Sequence, residues 1–214
     1  MDDEITGVNT GMVKMQIEEL YRVGVTIGMD KVNTAISDLF SSLSMLWYSP
    51  NAVRFYNDYA DYMLNLVDNA TKEIIKLCRN AAHAYNVAAT VHGLGSISFD
   101  VAFVFYAPYY KLMEVGPAPN YKQGMDLYRV GLALDEFKTK VIAGLSCLES
   151  LPSTISLYDP GSEQRKMFLI TLVAIKEQIS GDVQSMIDRI ESSLKSEKNS
   201  IFTAANESAS ILAG

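Results

Sequence analysis

The chain has 214 residues, 49% hydrophobic and 20% charged, enough apolar material to bury a core as one domain or two small ones. A net charge of −7, with no Lys/Arg cluster to offset it locally, argues against nucleic acid as a partner. Cys78 and Cys147 lie in opposite halves without metal-ligand or redox spacing and read as buried free thiols, which argues against a disulfide framework. The acidic start, Met1-Asp2-Asp3-Glu4, and the absence of an apolar run near the roughly twenty residues of a span lead to two expectations: no cleaved signal and no stable membrane insertion.

From about Val8 to Leu46, apolar positions at Tyr21, Val25, Val32, Ala35, Leu39 and Leu46, with Gly28 among them, follow the repeat of a packed helix pair. Glycine costs about 1 kcal/mol in a helix interior, so Gly24 and Gly28 on or beside this stripe predict close approach by a neighbouring helix. Ser44 to Tyr56 then reads as a sharp reversal. Pro50 disfavours helix at Ser49, while Ser49 can cap a new helix with proline in its first turn. Trp47, the only tryptophan, and Phe55 flank the corner and can close the end of a helical hairpin.

The next run, Asn51 to about Val91, places Ala52, Phe55, Tyr59, Met63, Leu66, Ala70, Leu77, Ala81, Ala84 and Ala88 on one face, and Gly93-Leu94-Gly95 should stop it. Ser98 to Tyr110 is aromatic and β-branched, closed off by Gly116-Pro117-Ala118-Pro119. It reads as a connector, helical or extended, laid over the core as a strap or, less plainly, offered to a partner as a docking surface.

The second half repeats the first. Leu20-Tyr21-Arg22-Val23-Gly24 returns as Leu127-Tyr128-Arg129-Val130-Gly131, 107 positions on, and Trp47-Tyr48-Ser49-Pro50 returns as Leu157-Tyr158-Asp159-Pro160, 110 positions on. The extra residues amount to about one helical turn and can leave the facing stripe intact. The third run carries Phe137, Val141, Leu145, Leu148 and Ile155, with Pro152 predicting a kink or short break. The fourth carries Phe168, Ile175, Ile179, Val183, Met186, Ile190 and Leu194, then dissolves into Lys195 to Ser200, and the last dozen residues read as a frayed, mobile tail. Two hairpins of helices about 60 Å long cannot bury their stripes alone. The expected fold is therefore all-α, an elongated antiparallel four-helix bundle of two tandem hairpins: residues 1–95, a connector 96–119, and residues 120–214.

Chemistry is sparse. His83 and His92 are nine residues apart on one predicted helix, too distant to share a metal. Cys78 and His83 point about 140° apart on a helix, which defeats a nucleophile pair. Asp58, Asp61 and Asp68, or Asp182, Asp188 and Glu191, lack the Glu-x-x-His motifs of di-metal bundles and read as solvated helix faces. Gly93-Leu94-Gly95 lacks the strand, third glycine and lysine of a phosphate loop. The expectation is a protein that is not an enzyme and uses no metal or cofactor.

Residues 8 to 92 resemble a member of the WXG family, the small helical-hairpin substrates of type VII (Esx-type) secretion systems, with Trp47-Tyr48-Ser49 standing where that family has Trp-x-Gly. The whole chain looks like two such units fused. In the family, paired hairpins form a four-helix bundle, and export is signalled jointly by the tryptophan turn of one partner and a Tyr-x-x-x-Asp/Glu motif after the second helix of the other. Tyr110-Lys111-Leu112-Met113-Glu114 matches that motif in letters. Ser49 replaces the glycine, Leu157 replaces a second tryptophan, and Tyr110 lies beyond the expected end of the second helix. The resemblance implies Trp47, Ser49, Tyr110 and Glu114 as recognition residues, and a secretion-machine ATPase or another type VII substrate or effector as partner. It also implies a monomer or homodimer, made in the cytoplasm and secreted. A helical adaptor that delivers a separate toxin is the alternative, and a membrane-active bundle the remote one.

Overall fold

The computed structural model describes residues 10–101, 124–155 and 161–213, and within them the chain is all-α. Helix α1 (Thr10–Tyr21), a π-helical segment (Arg22–Met29) and α2 (Asp30–Leu46) form one unbroken helical run. The π segment contains Gly24 and Gly28, and the Asp30 N–H at its end reaches back to the carbonyl of Val25. Its wider winding lets Gly24, Val25, Gly28 and Met29 all face inward.

The close approach expected at these glycines is present. A Cβ on Gly28 would lie 3.3 Å from the Gly144 carbonyl oxygen, and one on Gly144 would fall 2.8 Å from Val32 Cγ2 and 2.9 Å from the Gly28 oxygen. Backbones of two helices touch here because neither residue has a side chain.

After Leu46 the backbone turns extended. Trp47–Tyr48 (β1) pairs antiparallel with Gly124–Met125 (β2), Trp47 opposite Met125, and the Asp126 N–H donates to the Leu46 carbonyl at 3.0 Å. Helix α3 (Pro50–His92) starts as its letters predict: Ser49 is extended (φ −160°, ψ 164°) and its Oγ accepts from the Ala52 N–H at 3.0 Å. It ends where expected, with Gly93 in the left-handed region at φ 67°, a conformation that glycine adopts without strain. Beyond it, Asn86 donates to the Ile97 carbonyl and accepts from the Ile97 N–H, both at 2.8 Å. This amide ties the described start of the connector to α3, with Ile97 buried and Phe99 edge-on to Tyr21.

Helix α4 (Leu127–Thr154) is capped by Asp126, whose carboxylate accepts from the Arg129 N–H at 3.0 Å. Pro152 sits in the last turn of α4, so the predicted break becomes the helix end. Arg165 completes that end: its guanidinium donates to the Ile155 carbonyl at 2.6 Å and also to the Pro152 carbonyl. Ser162 caps α5 (Glu163–Ala213), its Oγ accepting from the Arg165 N–H at 3.1 Å.

The first run packs on α3 and α4, and α5 packs on both of these. Thr10 meets Tyr85 at one end and Phe40 stacks on Phe55 at the other, so the first run and α3 are antiparallel. Gly28 opposite Gly144 and Leu46 opposite Asp126 make the first run and α4 antiparallel as well. Ion pairs Lys176–Glu149 and Lys138–Glu191 do the same for α4 and α5.

All five apolar positions expected of the third run and all seven of the fourth are buried. In α3, Ala84 and Ala88 are exposed instead, and the inward face continues through Ala82, Tyr85 and Ala89. The predicted stripe left the face because its last two steps, three residues to Ala84 and four to Ala88, together fall short of two helical turns and stop one residue before the inward positions. The run that reads as dissolving after Leu194 stays helical to Ala213, with every described side chain from Lys198 to Ile211 exposed. Its Ala, Ser, Lys and Glu residues extend a helix whose nucleation cost α5 has already met in the core. Among the described residues no helix is long and apolar enough to cross a membrane.

Candidate functional site at the tryptophan corner

Trp47 and Ser49, the two described residues that the sequence marks as recognition candidates, meet at the corner between α2 and α3. Tyr110 and Glu114 lie outside the described residues. The Trp47 ring is 1% exposed and closes the hairpin end as expected, leaving its N–H as the polar group it turns toward a partner. The ring sits in an aromatic cluster, its centroid 5.7 Å from Phe55 and 6.2 Å from Tyr56, with Phe40 within 6.3 Å of both. Phe55 continues outward by stacking on Tyr59 at 4.8 Å.

The polar groups of the corner converge on one residue that sequence reasoning missed, Glu197 of α5. The Trp47 indole N–H donates to Glu197 Oε2 at 2.8 Å, and the Ser49 hydroxyl donates to Oε1 at 2.5 Å. Ser49 thus works in both directions, accepting from the first turn of α3 and donating to the carboxylate. A chain of this kind polarises each member toward the anion. The N-terminus of α3, with Ser49 as its cap, adds a favourable dipole for negative charge. Tyr56 donates to the Trp47 carbonyl at 3.1 Å and so fixes the backbone that carries the indole. Burial, and then the Glu197 charge, push the Tyr56 phenol well above its usual range, so it remains a donor.

A signal for Glu197 exists in the sequence. It lies three residues after Leu194 on the inward stripe of Met186, Ile190 and Leu194, where an acid is out of keeping with an apolar face. Its partners are 150 and 148 positions away, which no local pattern can supply.

The other sequence-marked groups lie elsewhere. His83 and His92 are exposed on α3. Cys78 is buried, its thiol pushed up to about 12 by burial, and Cys147 is only half-buried, donating weakly to the Ala143 carbonyl. Among the described residues no group of three His, Cys, Asp or Glu side chains is placed to hold a metal ion. Comparison with known proteins gives no match to this chain, whether by protein-family model, curated sequence or solved structure.

Proposed function

We propose that this chain is a non-enzymatic type VII (Esx-type) secretion substrate or partner protein. In this reading one polypeptide supplies both WXG-like hairpins and closes them into a single antiparallel four-helix bundle. The observation that carries it is the meeting of Trp47 and Ser49 with Glu197 across the two halves. In the WXG family the tryptophan turn works jointly with an acidic motif after the second helix of the partner hairpin. Here the tryptophan corner of the first half receives a carboxylate from the last helix of the second half. The residue four before Glu197 is Ser193 where that motif has tyrosine, so the acid is present without its aromatic companion. Secretion without a cleaved signal follows from the same reading, and a secretion-machine ATPase or a second substrate would be its partner.

Export decides it. The full chain, expressed in a host with an active type VII system, should reach the medium at its full mass, and deleting the secretion ATPase should retain it in cells. Equal amounts in the medium of both strains would overturn the proposal. The alternative, a helical adaptor for a separate effector, draws support from Ile201, Phe202 and Ile211, all more than half exposed on the end of α5. An adaptor would stay in the cells and co-purify with its cargo.

A further inference from the structure

We propose that the corner formed by Trp47 and Ser49 is a binding notch for a carboxylate carried on a helix, occupied in cis by Glu197 and open to an acidic helix of a partner when the end of α5 swings away. The inference builds on the reading of this corner as a recognition element and adds its ligand class and its regulation.

The chemistry of the notch selects a carboxylate. Two donors, the indole N–H and the Ser49 hydroxyl, address the two oxygens of one acid at 2.8 and 2.5 Å. Both belong to a rigid element: the indole is packed against Phe55 and Tyr56, and Ser49 is tied down by the Ala52 N–H. The α3 N-terminus behind them favours an anion and disfavours an ammonium or guanidinium group. A neutral amide could use only one of its two ends here, because its NH2 would face a donor.

The occupant is held at the edge of the core. Among the described side chains of α5, Leu194 is the last buried one, Glu197 is half-buried, and from Lys198 to Ile211 every side chain faces solvent. Little apolar burial opposes local opening at this point, which is the condition for a segment to leave without unfolding the molecule. Once α5 peels back to Leu194, the notch presents two directed donors beside an aromatic wall. A helix with an apolar residue one turn before Glu or Asp, the pattern of Leu194 and Glu197, then fits it. The end of α5 is in this sense the built-in competitor of the partner, and a partner that grips the exposed α5 end would release the notch.

Trp47 is the only tryptophan, so its fluorescence reports on the notch alone. The probe is a synthetic peptide of residues 186–204, which contains no tryptophan, added to the full chain carrying Glu197→Ala. The wild-type peptide should change the emission of Trp47 saturably, and its Glu197→Gln version should bind at least tenfold more weakly. The wild-type full chain, with its notch filled, should also bind the peptide at least tenfold more weakly than the Glu197→Ala chain. Adding Ser49→Ala to that chain should lower its affinity. Equal affinity of the acidic and amide peptides would overturn the carboxylate specificity. Equal affinity of the filled and vacated chains would overturn the competition. Should Glu197→Ala lose native helicity, a full chain with isosteric Glu197→Gln serves instead. In that chain Trp47 must become more accessible to acrylamide than in the wild type, and unchanged quenching overturns the proposal. None of these measurements involves export, so the secretion reading and the notch can fail independently.

Discussion

The same five letters, Leu-Tyr-Arg-Val-Gly, sit in two different physical settings. Leu20 is 1% exposed and Gly24 is buried at the start of the π segment, whereas Leu127 is 40% and Tyr128 77% exposed in the first turn of α4. A Cβ on Gly24 would come within 3.0 Å of Ile74, but one on Gly131 would meet nothing within 4 Å. Burial does repeat between the halves, but in a different register. Val25, Met29, Val32, Ile36 and Leu43 correspond in spacing to Val130, Leu134, Phe137, Val141 and Leu148, all buried. That register is two residues out of step with the letters, which on a helix is a rotation of about 200°. The cause is position within the element: the first copy lies inside a helical run begun ten residues earlier, while the second starts one, directly after the β2 pairing.

The largest effect sets the buried corner of the first half against the exposed start of the second. Trp47→Ala should cost about 3–5 kcal/mol, because the ring is buried and its N–H is satisfied by Glu197. Tyr128→Ala, on the exposed copy, should stay within about 0.5 kcal/mol of wild type. Urea midpoints of the two variants measure the difference, and comparable losses would mean that the second copy is buried after all.

Leu20→Ala and Leu127→Ala test the same pair of settings at identical residues. The first should cost about 2–5 kcal/mol and the second less than half as much. Calorimetric melting of both, side by side, would show whether the five-letter match carries any structural equivalence.

The glycines sharpen the contrast at smaller amplitude. Gly131→Ala adds a side chain in open space on a helix and should stabilise by about 0.4–1 kcal/mol. Gly144→Ala, in the same helix, pushes a Cβ against the Gly28 carbonyl oxygen and should destabilise by about 1–3 kcal/mol. A gain at both positions would mean that the two backbones have room to separate.

The smallest effect needs no mutation. Burial pushes the Cys78 thiol up to about 12, so at pH 8 it stays protonated and a poor nucleophile. Half-buried Cys147 should therefore react with an aromatic disulfide reagent in the native protein, and Cys78 only after denaturation. Two thiols released at once under native conditions would contradict the packing of α3.

Helix identity was legible because its signals are local. Ser49 and Pro50 open α3, Gly93 ends it, and the inward positions from Phe137 to Leu194 follow from the helical period alone. The candidate site was legible only in part. Trp47 and Ser49 stand out as the single tryptophan and a cap beside proline, but nothing near them names Glu197. Arg165, which closes the end of α4 from across the second reversal, was equally invisible, since a partly buried arginine bound to carbonyls looks in sequence like any surface cation.

Local signals in the sequence were not enough to extend α5 past Leu194, but they did place the buried stretches of the helical runs, the start and stop of α3 and the close approach marked by Gly24 and Gly28. These depend on backbone preferences and on periodicity, which act over a few residues. Only the tertiary structure decided that Gly144 is the residue facing Gly28, that the repeated letters fall out of register with the buried face, and that a glutamate from the end of α5 satisfies the indole at the first corner. Each of these depends on where helices distant in sequence lie against one another. That placement follows from the summed burial of whole faces, to which a five-letter match contributes little.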